Sequence, residues 1–184
     1  MSTPSFPTAR RLWDISPPVF AGSPVFPGDT AYSQQWCATI GDVSLDAFLG
    51  PCRVIHAIDC GPLIAWEHIA HAVNSPLPQR VLVRTYEHMP VDRWDGQLAA
   101  YAPGTIERLA DLGVLLVGID TASIDPADSK TLDSHQVIRR RGLRVLENLV
   151  LDAVPEGDYE LIALPLKLTT ADASPVRAVL RALD

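Results

Sequence analysis

Residues 114–142 read VLLVGIDTASIDPADSKTLDSHQVIRRRG, and three textures follow one another in them. VLLVGID at 114–120 is a short apolar run of the kind that forms a buried strand. TASIDPADSKTL is a polar connection with one proline, two aspartates and two serines as turn formers. DSHQVIRRRG at 133–142 has helical spacing, with Asp133 suited to an N-cap and Gly142 to a C-terminal stop. A strand, an acidic loop and a helix in that order predict an α/β unit, with the loop at the strand end where α/β sheets commonly build their sites.

The same alternation extends outward. Strands are expected at 53–60, 80–86 and 159–166, with a shorter one at 149–152, and helices at 64–73, 104–113 and 174–183. Ser174 followed by Pro175 reads as an N-cap with proline at the first helical position. The first fifty residues differ: Pro4, Pro7, Pro17, Pro18, Pro24 and Pro27 favour extended edge segments and turns over helix. The fold class expected is α/β, a mixed sheet with flanking helices, in one domain over residues 1–184.

Composition narrows the function classes. A net charge of -7 and a pI near 5.1 supply no basic face for nucleic acid. The one basic run, Arg139 to Arg141, reads as a solvated face or a set of salt-bridge partners. No stretch has the apolar length of a membrane span or of a signal peptide, so a cytoplasmic protein without nucleic-acid or membrane partners is expected. Cys37, Cys52 and Cys60 have neither an even count nor CxxC spacing, and read as buried thiols.

Candidate chemistry is sparse. EHIAH at 67–71 places two histidines three apart with no glutamate between them, so it lacks the HExxH geometry. His56 sits within an apolar strand and His88 within a loop. No GxSxG, P-loop or GxGxxG is present. What remains is His135 and Glu147, two side chains of metal-ligand type twelve positions apart, where a catalytic zinc normally takes three protein ligands and a water.

Several long segments, in order, carry a resemblance: LWDISPPV, SPVFPGDT, LDAFLGPCRVIH, GIDTASIDPADSKTLDSH, LENLVLD, GDYELIALPLKL and DASPVRAVLRAL. Together they resemble the bacterial kynurenine formamidases of the metal-dependent cyclase family, from Leu12 to Leu183. The resemblance implies a swivelling β/β/α-like domain and a homodimer. It also implies a hydrolase with two zinc ions per subunit, converting N-formyl-L-kynurenine and water to L-kynurenine and formate in tryptophan catabolism. It implies that His135 and Glu147 are zinc ligands and that Phe26 contacts the substrate.

The sequence also departs from the family. An HxGxHxDxPxH segment, which the resemblance leads one to expect between the PGDT turn and LDAFLG, is absent. The chain passes from AYSQQWCATI directly to GDVSLDAFLG, as an internal deletion at 40/41 that would remove one or two strands. With that segment go the remaining zinc ligands and the general acid/base histidine, so no catalytic residue can be assigned. Two alternatives stand beside the formamidase reading: a catalytically inactive member acting as a binding or structural protein, and a related hydrolase with another substrate.

Overall fold

In the computed structural model, residues 11–17, 39–74 and 76–183 are described. Phe26 and the PGDT turn, expected to meet substrate, lie outside the described residues, as does Cys37.

Among the described residues, nine strands and three α-helices follow in chain order: β1 (Leu12–Asp14), β2 (Leu49–His56), β3 (Leu63–Ile64), α1 (Trp66–Ile69), β4 (Arg80–Arg84), β5 (Ala100–Tyr101), α2 (Pro103–Asp111), β6 (Leu116–Ile119), α3 (Asp133–Arg141), β7 (Arg144–Leu146), β8 (Gly157–Ile162) and β9 (Val179–Ala182). Seven strands form one sheet in the order β1-β9-β8-β2-β4-β6-β7, while β3 and β5 pair as a small parallel ribbon. The sheet is mixed, as expected. β2, β4, β6 and β7 run parallel, and β8, β9 and β1 add antiparallel neighbours.

Apolar residues on both faces of the central strands explain their near-continuous runs. Along these strands successive side chains go to opposite cores. Ile55, Val81, Val83, Val117 and Ile119 pack with Ile106 and Leu109 of α2 and Val137 and Ile138 of α3. Val54, Leu82, Leu116 and Leu146 join Phe48, Leu149, Leu151, Leu161 and Leu180 on the other side. The helices α2 and α3 therefore flank one face only; the second core is closed by strands and loops.

The arginine run is settled by α2. Glu107 pairs with both Arg140 and Arg141, and Arg141 reaches Asp111 at 2.6 Å, so the basic run ties α3 to α2. Gly142 ends α3 in the left-handed region at φ 67, donating its N–H back to Arg139. That is the stop its residue type implied.

Three expectations are corrected. The helix expected at 174–183 is strand β9, because Val176, Ala178 and Leu180 alternate inward against the second core while Arg177 and Arg181 point out to Asp14 and Glu160. Ladders to β8 and β1 on either side override the proline-capped helical spacing. The strand expected at 149–152 is irregular backbone, and the strand next to it is β7 instead. The helix expected at 64–73 shrinks to Trp66–Ile69, because Ile64 belongs to the β3–β5 ribbon.

Residues 40 and 41 lie in a 3-10 turn, Ile40–Asp42. Ile40 N–H donates to Ala171 O at 2.8 Å and Gly41 N–H to Leu168 O at 2.9 Å, so the turn is sewn to the segment after β8. A second 3-10 turn, Leu45–Phe48, leads into β2 and is clamped by the buried Arg80 guanidinium, which donates to the carbonyls of Asp46, Ala47 and Pro51. Leu45, Leu49, Leu164 and Leu166, on the segments around this turn, are exposed.

A Cβ at position 41 would sit 2.8 Å from Leu168 O, a backbone atom that cannot swing aside. Gly41→Ala is therefore expected to destabilise the fold by about 1–3 kcal/mol, measured as a lower urea midpoint with an unchanged slope. An unaltered midpoint would show that the turn is not fixed against Leu168.

Candidate metal-facing site

The site is built at the C-terminal end of β6, where the chain leaves the sheet through residues 120–132 before entering α3. Asp125 in this loop is 1% exposed, and its carboxylate accepts from Ser134 N–H at 2.8 Å and His135 N–H at 3.1 Å. These are N–H groups of the first turn of α3, which have no helical acceptor. Asp133 was expected to supply that cap. Instead Leu132 occupies the N-cap with no side-chain bond, in the left-handed region at φ 52, and Asp125 does the work from eight positions upstream of Asp133.

The same carboxylate takes His135 Nδ1 at 2.6 Å. An aspartate there orients the ring by accepting from an Nδ1–H. Nε2 faces Glu147 Oε1 at 3.7 Å. Glu147 follows β7, and its Oε1 accepts from Ile124 N–H at 2.8 Å, so both ends of the pair are anchored to the 120–132 loop. Burial pushes the Glu147 carboxyl above the usual range, with His135 and the Ile124 N–H opposing that rise. Asn148 beside it is also left-handed, at φ 60, so backbone strain brackets both ends of the pair.

His135 and Glu147, twelve positions apart in sequence, are therefore brought within 3.7 Å of each other. The other histidines are engaged elsewhere. His56 Nε2 is 2.9 Å from Val154 O, His68 Nδ1 accepts from Ala65 N–H, His71 pairs with Glu156 at 3.1 Å, and His88 lies 3.6 Å from Asp152. Among the described residues no three His, Cys, Asp or Glu side chains converge as a metal set. The described donors do not make up a two-ion centre.

Next to the pair lies a cleft of about 660 Å³, bounded by residues 59–62, Thr85 and Tyr86, residues 96–99 and residues 126–128. Neither His135 nor Glu147 lines it, but its 126–128 wall continues directly from Asp125. Beneath Thr85 and Tyr86 sits Asp120, fully buried at the end of β6, accepting from Thr85 N–H and Oγ1 and from Tyr86 N–H. The sequence marked Asp120 and Asp125 only as acidic loop residues. Their roles depend on backbone donors that lie 9 to 35 positions away.

No family model matches the chain. Curated relatives match throughout. A kynurenine formamidase of Paracidovorax citrulli is 72% identical, covering 95% of this chain and 98% of that protein. Its counterparts in Delftia acidovorans and Bordetella petrii are 69% and 58% identical, each covering 95% of this chain and 99% of the relative.

The chain belongs to the kynurenine formamidase family.

Among solved structures, a potential metal-dependent hydrolase with cyclase activity superposes with a TM-score of 0.82 at 24% identity, covering 96% of this chain and 100% of that one. An isatin hydrolase A from Ralstonia solanacearum does so at 0.72 and 16% identity. These likenesses show that this formamidase-family chain has the cyclase fold. The alignment to the Paracidovorax formamidase spans 211 positions although this chain has 184 residues, so that relative carries positions with no counterpart here.

Burial holds the Asp120 carboxyl up at about 6 against four opposing hydrogen bonds, from an ordinary value of 3.8. The native state thus keeps a proton that the unfolded chain releases near pH 4. This contribution is complete below that pH and is lost as pH rises through 6, on the order of 3 kcal/mol in all. The stability penalty of Asp120→Asn relative to the parent is expected to shrink from pH 4 to pH 6.5 in urea unfolding. A pH-independent difference would refute the assignment.

Proposed function

We propose that this chain is a kynurenine formamidase-type hydrolase, acting on N-formyl-L-kynurenine with water to give L-kynurenine and formate in tryptophan catabolism. Identity of 72% and 69% to proteins of that name, over nearly their whole lengths, is the observation that carries the reading. In the reaction water adds to the formyl carbon, the carbon–nitrogen bond breaks, and the aniline nitrogen takes up a proton.

His135 and Glu147 are the proposed metal ligands, zinc is the proposed metal, and Phe26 is the proposed substrate contact. A zinc ion held there would polarise the formyl oxygen and acidify a bound water. The resemblance implies two ions per subunit; among the described residues no three donors converge to hold them. The chain's own contribution is positional. Asp125 fixes the His135 ring, and the Ile124 N–H fixes the Glu147 carboxylate.

A homodimer in the cytoplasm, a single domain with an internal deletion at 40/41, and the absence of nucleic-acid or membrane partners complete the proposal. Among the described residues no helix is long and apolar enough to cross a membrane. The surplus of alignment positions over chain length supports the deletion. No histidine other than His135 stands near Glu147 in the described residues, and loss of a general acid/base lowers rates by roughly 10²–10⁴-fold.

Full-length chain with added zinc is accordingly expected to release formate from N-formyl-L-kynurenine slowly but above the buffer rate, in preference to isatin and to aliphatic formamides. His135→Ala is expected to remove that excess. Absence of any excess, or equal rates on all three substrate classes, would overturn the proposed function.

A further inference from the structure

The large sheet carries a face that neither the site nor the two cores use. β1, β9, β8 and β2 are consecutive neighbours. Their registers place Asp14, Val179, Ile162 and Leu49 in one cross-strand row and Leu12, Arg181, Glu160 and Pro51 in another. Residues directly opposite in a ladder share a face, so both rows point away from the second core, which takes Trp13, Leu180 and Leu161 from between them. They lie on the side that α2 and α3 cover further along β2, where Ile55 enters the first core. Among the described residues nothing seals this end: Leu12 and Leu49 are 59% and 45% exposed, Pro51 and Leu164 are exposed with them, and Val179 and Ile162 are only half-buried.

A solvated face of an antiparallel sheet is normally polar. Here Val179, Ile162 and Leu49 stand side by side on three adjacent strands, and Leu12 and Pro51 close the second row at either end. The charges among them cancel within the face: Arg177 pairs with Asp14 at 2.8 Å, Arg53 with Asp158 at 2.7 Å, and Arg181 with Glu160. The face is thus neutral on a chain whose net charge is -7. Two such chains repel each other through most of their surface, and this is where they can meet at least electrostatic cost.

We propose that the β1-β9-β8-β2 face is the surface by which two copies of this chain associate, sheet against sheet across a two-fold axis, each supplying Leu12, Leu49, Ile162 and Val179. This rests on the homodimer of the proposed function and gives it a location. Size sets the strength. Four strands about 4.8 Å apart, each showing about four residues, present on the order of 300 Å² of flat area, where a stable complex usually buries about 800 Å² per partner. The dimer is therefore weak, reversible and concentration-dependent.

The test is sedimentation velocity of the full-length chain without substrate, from low micromolar to near-millimolar concentration. Monomer is expected at the dilute end and dimer at the concentrated end. Leu49→Asp and Leu12→Asp, each at an exposed side chain, should raise the dissociation constant roughly tenfold or more, because a two-fold axis brings each new charge into the contact twice. Leu112→Asp, at the exposed end of α2, should leave it unchanged. Added salt should preserve or tighten the dimer, since the arginines are already paired within each copy and only the repulsion between copies is screened. Thermal melts confirm that each variant is folded.

A chain that stays monomeric throughout would overturn both this inference and the homodimer. A dimer indifferent to Leu49→Asp and Leu12→Asp, or one that salt dissolves, would overturn the face and leave the homodimer standing. No arm reads hydrolysis, so failure of the proposed activity is a separate result.

Discussion

One buried carboxylate organises the functional end of this molecule. Asp125 closes the open first turn of α3, and the same two oxygens set the ring of His135. Helix position and imidazole orientation are thus one structural decision. The strain at Leu132 becomes intelligible in that light: a leucine in the left-handed region costs about 1–2 kcal/mol, and the loop accepts it because the capping carboxylate arrives from across the loop, not from the residue before the helix. Glu147 is drawn in by the same loop through Ile124.

The sheet explains why that arrangement can be rigid. β6 is bounded by β4 and β7, and its residues enter two separate cores. The loop that leaves it is pinned at its root as well, since Asp120 bonds Thr85 and Tyr86 beyond the end of β4. Side chains on such a loop have little freedom to drift. The contrast with the far side of the sheet is instructive, because there the chain around Gly41 is secured chiefly by backbone bonds to residues 168 and 171 and by the three carbonyls that Arg80 gathers behind it.

How much of this was legible in the sequence depends on distance. VLLVGID and DSHQVIRRRG announce β6 and α3 because apolar content, helical spacing and Gly142 are local signals. SPVRAVLRAL misleads because its inward residues satisfy a period of two only once β8 and β1 lie on either side. The pairing of His135 with Glu147 came from resemblance, not spacing. Asp125 and Asp120 were visible as acids in a loop, but what makes each matter is a set of backbone donors supplied by the folded chain. The ionic tie of Arg140 and Arg141 to Glu107 likewise required knowing that α2 lies beside α3.

Among the described residues, both outer strands of the large sheet, β1 and β7, are only three residues long. So short a border offers few free amide and carbonyl groups to a stray strand, which protects against the edge-to-edge stacking that seeds fibrils. Two copies meeting at these described edges would gain few ladder bonds, so the fit of side chains would set the strength of such a contact.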